Sequence, residues 1–342
     1  MFRTAIIGCG VISAIHADAL ASVPGVELVA ICDRDPEKMK GKPEHLERFT
    51  DYEALYESVK PDSVHICLPH DQHVPAARSA LKHGIHVFLE KPLANEVEPA
   101  ERLCEEARAA AKRGVLTGVC LQNRLNNCSQ TLRERVLSGR DGAVRTVRSS
   151  VIWNRGKAYY DAEPWRGIMA QAGSGLLINQ AIHTLDLMSY VTGSRPISVK
   201  GQIARLADFE VEVEDTASAI IDFEGGFRGT FFGTTAHYQN EPVEVEVNTE
   251  KTVYHIRGTQ LFAKPAASPT DSGHWEELCE DLAREGRKFY YGAGHTLLIQ
   301  AFYKRLAGDE EATLVTPDDA LTSLKLVKGI MQSSEEKRRI VL

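Results

Sequence analysis

The sequence predicts an α/β domain over residues 1–121 joined to an α+β domain over 122–342, the second built on a large, mostly antiparallel open sheet. Three observations carry this. The first third alternates short apolar runs with helical patterns; a glycine turn, Gly8-Cys9-Gly10, separates the first run from the first helical stretch; and beyond about residue 121 the runs lengthen and alternate apolar with polar residues. Continuous apolar runs such as VELVAIC fit parallel strands buried on both faces. Strict alternation fits strands with one face on a core and the other in solvent.

In the first domain the expected strands are Thr4–Ile7, Glu27–Cys32, Ser63–Leu68, His86–Leu89 and Val115–Leu121, with helices around 13–22, 52–59, 74–83 and 95–112. Strand and helix in succession make βαβ units, which pack as a parallel sheet. In the second domain the strands lie in VRTVRSSVIW, TASAIIDFE, GFRGTFFGTTA and VEVEVN, with a helix over 175–191. The boundary falls near Gln122–Arg124, and helices from 274 onward close the fold.

Composition narrows the function classes. A chain of 342 residues, 43% hydrophobic and 25% charged, is long enough for two separate cores. Net charge is −7 and Lys and Arg are scattered, so the basic footprint of a nucleic-acid binder is missing and no nucleic-acid partner is expected. No apolar run reaches the roughly 18 residues of a membrane span, and the N-terminus enters a strand and glycine turn rather than a signal peptide, so a cytoplasmic protein without a membrane partner is expected. The seven cysteines, at 9, 32, 67, 104, 120, 128 and 279, form no Cys-x-x-Cys and read as reduced small hydrophobes. His70/His73 and His83/His86 have ligand-like spacing but no carboxylate cluster beside them, so no metal is expected.

The glycine turn reads Gly8-Cys9-Gly10-Val11-Ile12-Ser13, a G-x-G-x-x-G/A pattern with the small Ser13 in the last place. Between a strand and a helix, with Asp33 ending the second strand, it is the fingerprint of a dinucleotide-binding, or Rossmann, domain. The helix amino end binds pyrophosphate and the acid accepts hydrogen bonds from the adenosine ribose. A carboxylate there favours NAD over NADP, while Arg34 could pair with a 2′-phosphate and keeps NADP possible. Ligands of such sheets bind at the carboxyl ends of strands. The cofactor-binding candidates are therefore Gly8, Gly10, Val11, Ile12, Asp33, Arg34, Leu68 and Pro69.

Two further stretches hold chemistry. HVFLEKPLA, residues 86–94, is an apolar strand that ends in an acid, a base and a proline: either a solvated pair with a strand stop, or a cation placed at a ligand-binding edge. In GSGLLINQAIHTLDLM, residues 173–188, Leu177, Ala181, Leu185 and Met188 form an apolar stripe at helical spacing and read as core. Asn179, His183 and Asp186 share the neighbouring face and are expected to present an amide, an imidazole and a carboxylate together. The segment WNRGKAYYDAEPWRGIMAQ, residues 153–171, reads as a loop whose aromatic faces and polar groups suit a carbohydrate ring.

The glycine turn, the tripeptide Glu90-Lys91-Pro92, and Asn179-x-x-x-His183-x-x-Asp186 after a glycine-rich turn together resemble the Gfo/Idh/MocA oxidoreductases, the family of glucose-fructose oxidoreductase and inositol dehydrogenase. The resemblance implies that Lys91 sits beside the nicotinamide and takes part in catalysis, and that His183 accepts a proton from the substrate hydroxyl. The family's frequent Asp one helical turn earlier is Asn179 here, and a neutral amide does not raise an imidazole pKa as a carboxylate would. The resemblance also implies substrate contacts from Lys91, Tyr160, Trp165, Arg166, Asn179, His183 and His295, cofactor-binding roles for His73, Glu90 and Lys91, and a homodimer or homotetramer. The activity implied is hydride transfer between NAD(P) and a secondary hydroxyl or ketone of a sugar, sugar derivative or cyclitol. Two alternatives stand beside it: an NAD-retaining glycosidase that oxidises its sugar transiently, and a non-catalytic dinucleotide-binding regulatory protein.

Overall fold

The computed structural model describes residues 1–266, 274–282 and 293–342. These fall into two compact units, residues 1–122 with 295–321 and residues 123–294 with 322–342. The return of 295–321 to the first unit is not visible in the alternation of strand and helix.

The first unit holds a six-stranded sheet of β1 (Phe2–Ile7), β2 (Val26–Cys32), β3 (Glu47–Phe49), β4 (Ser63–Ile66), β5 (His86–Glu90) and β6 (Thr117–Cys120), in the order β3-β2-β1-β4-β5-β6. Every neighbouring pair is parallel. Helices α1 (Val11–Leu20), α2 (Tyr52–Val59), α3 (His73–Lys82) and α4 (Val97–Ala111) make the crossovers. The three-residue edge strand β3 is too short and too polar to register as an apolar run. Ile66, Phe88 and Leu89 are at most 1% exposed, and each such side chain contributes about 1.5–3 kcal/mol by burial. Residues 295–321, beginning in α9 (Gly294–Leu306), pack directly on β6: a Cβ on Gly118 would come within 3.0 Å of the Phe302 ring, and Val119 N–H donates to Val315 O at 2.9 Å.

The second unit opens with α5 (Asn127–Leu137) and carries a nine-stranded sheet. Its strands are β7 (Val144–Ile152), β8 (Pro196–Ala204), β9 (Thr216–Phe223), β10 (Arg228–Thr234), β11 (Glu244–Thr249), β12 (Thr252–Arg257), β13 (Gln260–Pro265), β14 (Glu276–Glu280) and β15 (Ile340–Val341). The order is β14-β13-β12-β11-β7-β10-β9-β8-β15, antiparallel throughout except for β7 with β10. Residues 276–280, expected in the helical closure, are instead the strand β14, whose partner β13 supplies its ladder. Short helices α6 (Lys157–Ala162) and α7 (Met169–Ala172) precede α8 (Ile182–Thr192), and α10 (Pro317–Glu336) ends the helical part of the chain. Alternation buries Val147, Ala219, Phe231 and Val245, with α8 packed on β7 and β11, while Ile220 and Phe232 on the outer face are each 45% exposed. No helix among the described residues is long and apolar enough to cross a membrane.

Candidate active site

In the six-stranded sheet parallel pairing brings every carboxyl strand end to one edge. Gly8 follows β1, Asp33 follows β2, Leu68 and Pro69 follow β4, and Lys91 follows β5. β1 and β4 flank the point where the strand order reverses, the crevice where ligands of such sheets bind. Gly8 is held at φ +95°, and a Cβ there would lie 2.5 Å from Cys67 O, so the close approach of the two strand ends requires glycine. Gly10 differs, because a Cβ on it would meet nothing within 4 Å. Protein packing does not demand glycine at that position, and the open space leaves room for close approach of a ligand phosphate.

Gly10 is the N-cap of α1, whose first turn has neither a capping side chain nor an acidic residue, and Val11 and Ile12 open the helix at partly to fully exposed positions. The positive end of the helix dipole is thus left for an anion. Burial pushes the Cys9 thiol up to about 11, with Asp33 acting the same way, so the turn holds no thiolate to oppose one. Asp33 accepts Cys9 N–H at 2.8 Å and Asp35 N–H at 3.0 Å, one on each oxygen. Those bonds orient the carboxylate and leave a lone pair on each oxygen for ribose hydroxyls. Arg34 is exposed. Turn, helix end and acid together fit NAD, whose pyrophosphate would lie on Gly10, Val11 and Ile12 and whose adenosine ribose would lie on Asp33.

Lys91 is half-buried and directly follows Glu90, which is 5% exposed. Glu90 Oε1 lies 2.8 Å from His16 Nε2 and 3.6 Å from His295 Nε2, and Oε2 accepts the Lys91 N–H at 3.2 Å. Burial pushes the Glu90 carboxyl up, but the hydrogen bond from His16, with His295 beside it, outweighs it and holds it well below the usual carboxylate range. The tripeptide is therefore not a solvated pair: Glu90 is an internal anchor, and Lys91, half-buried, follows it at the carboxyl end of β5. The Lys91–Pro92 peptide is cis.

His73, wholly buried, places Nδ1 2.7 Å from Pro92 O and Nε2 2.8 Å from Leu68 O, so it ties the turn after β4 to the turn after β5. It supports the cofactor crevice from below rather than offering an accessible face to it. His295 is 2% exposed with its ring against Glu90 and His16, which makes it part of the Glu90 cluster and not an open substrate contact.

In the second unit the turn Gly173-Ser174-Gly175 leads into a helical run whose first five residues, Leu177–Ala181, are π-helical before α8 continues as ordinary helix. A Cβ on Gly175 would lie 2.0 Å from Glu214 O, so glycine is required. Glu214, 2% exposed, accepts Ser174 Oγ–H at 2.6 Å, Gly175 N–H at 2.9 Å and Leu177 N–H at 2.9 Å. It fixes the amino end of the run that carries Asn179 and His183, both half-buried. Asn179 Nδ2 donates to Ser174 O at 3.4 Å. π-turns inside helices recur at functional sites.

Asp186 does not join Asn179 and His183. It is 2% exposed, takes a two-pronged contact from Arg124 at 2.8 and 2.7 Å, and accepts Ser323 Oγ–H at 2.7 Å. Three residues along a helix turn it about 60° from His183, enough to carry the carboxylate inside, where the guanidinium compensates its burial. The stripe of Leu177, Ala181, Leu185 and Met188 is fully buried.

Residues 153–171, read as a loop, are folded into α6, a 3-10 turn at 164–167 and α7. Tyr160 is 6% exposed and packs with Ala172, Val213, Trp165 and Phe209, so its ring is core of this small cluster. Arg166 lies 4.4 Å over the Tyr159 ring and donates to Tyr159 O at 3.2 Å, and Trp165 Nε1 donates to Glu163 at 3.2 Å. Trp165 and Arg166 are both partly exposed. Sequence reasoning passed over Tyr159, whose hydroxyl accepts from Gln180 Nε2 at 3.1 Å; the Tyr159-Tyr160 doublet was the available signal.

Comparison with known proteins agrees with this geometry. Residues 2–119 match the model of an oxidoreductase family with an NAD-binding Rossmann fold, and residues 129–255 match the GFO/IDH/MocA C-terminal domain. The chain is 30% identical to D-glucoside 3-dehydrogenase of Escherichia coli strain K12, over 99% of this chain and 97% of that one, and 24% identical to myo-inositol 2-dehydrogenase of Thermotoga maritima, over 99% and 98%. Among solved structures, an oxidoreductase domain protein from Kribbella flavida superposes with a TM-score of 0.87 at 25% identity, covering 100% of this chain and 99% of that one. The WlbA dehydrogenase from Bordetella pertussis in complex with NADH and UDP-GlcNAcA superposes with a TM-score of 0.84 at 29% identity, covering 100% and 98%. The chain belongs to the GFO/IDH/MocA family of NAD-binding oxidoreductases.

Proposed function

We propose that the protein is an NAD-dependent dehydrogenase that oxidises a secondary hydroxyl of a sugar, sugar derivative or cyclitol, or reduces the corresponding ketone. The observation that carries this reading is the placement of Lys91 on the same carboxyl edge as Gly8, Gly10 and Asp33. Bound NAD supplies the acceptor for the hydride. The Lys91 ammonium, on a residue whose backbone N–H is held by Glu90, stabilises the alkoxide that develops as the hydroxyl loses its proton, and His183 is the acceptor of that proton. Asn179 orients the substrate by hydrogen bonding from the adjacent turn of the helical run. Trp165 and Arg166 offer an aromatic face and guanidinium donors to a polyol, a pairing suited to a ring with one apolar face and a hydroxyl rim. The names of the relatives, a glucoside 3-dehydrogenase and an inositol 2-dehydrogenase, support the substrate class.

The second unit is the substrate and assembly domain in this reading. Ile220 and Phe232 expose apolar surface on the outer sheet face, and a second copy would cover it in a homodimer or a dimer of dimers. Seven free cysteines, six of them buried, suit the reducing cytoplasm. Absorbance of NADH at 340 nm, followed with NAD and a panel of glucosides, uronic acids and inositols, tests the activity. Net NADH formation with at least one polyol is expected; retention of NAD with sugar hydrolysis and no net NADH would favour the glycosidase instead.

A further inference from the structure

Behind Glu90 the first unit buries a row of polar side chains that the proposed chemistry does not use. His16 Nδ1 lies 2.8 Å from His65 Nδ1, and His65 Nε2 lies 3.0 Å from Tyr303 Oη. Tyr303 Oη is 2.9 Å from both Ser63 Oγ and Thr4 Oγ1, which are 2.8 Å from each other. His16, His65, Ser63 and Thr4 are 0% exposed and Tyr303 is 3%. Five buried polar groups in one line, drawn from β1, α1, β4 and α9, would be costly unless every hydrogen were placed.

The chemistry of the atoms fixes where those hydrogens lie. A carboxylate only accepts, so the hydrogen in the bond to Glu90 belongs to His16 Nε2. A neutral His16 then has a bare Nδ1, which must accept, so His65 Nδ1 carries the hydrogen between the two rings. A neutral His65 in turn has a bare Nε2 and accepts from the Tyr303 hydroxyl, whose oxygen accepts from Ser63 or Thr4. One polarity thus satisfies the whole row with both imidazoles neutral. Burial holds His65 well below the usual histidine range, in keeping with a neutral ring. Reversing the row needs one more proton, carried by His16 as imidazolium.

Resting on the dehydrogenase reading above, we propose that Tyr303, His65 and His16 form a one-directional hydrogen-bond chain that keeps Glu90 an oriented anion beside Lys91, making these three positioning residues for the catalytic cation. The other titratable groups around Glu90 are His295 from α9, His73 from α3, Cys67 after β4 and Cys120 at the end of β6, besides Lys91 itself. Burial pushes both thiols well up, so neither competes as an anion. His16, Glu90 and Cys120 also lie within 4.8 Å of one another in the manner of metal ligands. The 2.8 Å between His16 and Glu90 is a hydrogen-bond length, shorter than the roughly 3.3 Å between two ligand atoms bound tetrahedrally at about 2.0–2.1 Å.

The chain is tested first without any activity. Long-range proton–nitrogen NMR correlations on histidine-labelled protein at neutral pH should show His16 as the Nε2–H tautomer and His65 as the Nδ1–H tautomer. Both rings in the Nε2–H form would leave no hydrogen between the two Nδ1 atoms and would overturn the proposal. The second arm uses kcat against pH. His16→Leu should lower kcat about tenfold or more, the scale of a lost hydrogen bond to a charged group, with KM for the polyol little changed. His16→Gln keeps a donor and an acceptor, so it should recover most of kcat. Equal kcat and equal profiles for wild type and both variants would reduce the row to packing. If no polyol is turned over at all, the dehydrogenase reading fails while the tautomers still decide the chain.

Discussion

Two glutamates in this molecule are almost equally buried and do opposite electrostatic work. Glu90, 5% exposed, faces groups that themselves titrate, and those histidines hold it well below the usual carboxylate range against the cost of burial. Glu214, 2% exposed, faces Ser174 Oγ–H and the N–H groups of Gly175 and Leu177, and burial leaves its carboxyl raised despite those three donors. Fixed backbone dipoles place a carboxylate without fully compensating its charge, whereas ionisable partners both place it and set its protonation. Glu90 is accordingly suited to stand beside a catalytic cation, and Glu214 to fasten a turn.

The contrast breaks most sharply at the cation itself. Lys91→Met should lower kcat by about 10²-fold or more, the usual scale for a lost acid/base or electrostatic group, with folding retained and NAD affinity nearly unchanged by fluorescence titration. Wild-type-like turnover would detach the Glu90 cluster from catalysis. The next effect is on stability: Glu214→Gln sets an NH2 group where one accepting oxygen stood, so a buried donor loses its acceptor at a cost of about 1–3 kcal/mol, read by urea unfolding. An unchanged midpoint would mean that the Gly173–Gly175 turn holds without it.

Away from both glutamates, Asp33→Ser should lower the ratio of kcat/KM with NAD to that with NADP by about tenfold, or about 1.4 kcal/mol; an unchanged ratio would shift cofactor selection to Arg34. The gentlest expected effect is on acid stability. Burial lowers the pKa of His65 and His295, so the folded chain keeps them neutral while the unfolded chain protonates them. The unfolded state then binds more protons, and stability should fall as pH drops below about 6.5. Glu90, depressed in the fold, adds a further loss only as pH falls below about 4.3. Urea midpoints that stay level from pH 8 to pH 5 would contradict the neutral histidines.

How legible each part was depends on how local its cause is. The Gly8 turn, Asp33 and Glu90-Lys91-Pro92 announce themselves because a strand, a tight turn and a helix end are neighbours in sequence, and parallel pairing then carries them to one edge. His16, His65 and Tyr303 could not be read this way. Each sits inside an apolar segment, and its partner lies 49 or 238 residues away. Asp186 misled for the same reason, since helical spacing places it near His183 but only the fold reveals Arg124 beside it. The π-turn at Leu177–Ala181 left no mark in the periodicity, and β14 escaped because EELCE is short and mostly charged.

The most direct test of the contrast is kcat as a function of pH for wild type, Glu90→Gln and Glu214→Gln, each corrected for its folded fraction at saturating NAD and polyol. With the buried anion removed, Glu90→Gln should lose about tenfold or more in kcat and shift the limbs of the profile. Glu214→Gln should keep the wild-type limbs. Limbs that move equally in both variants, or in neither, would contradict the assignment of Glu90 to catalysis and Glu214 to structure.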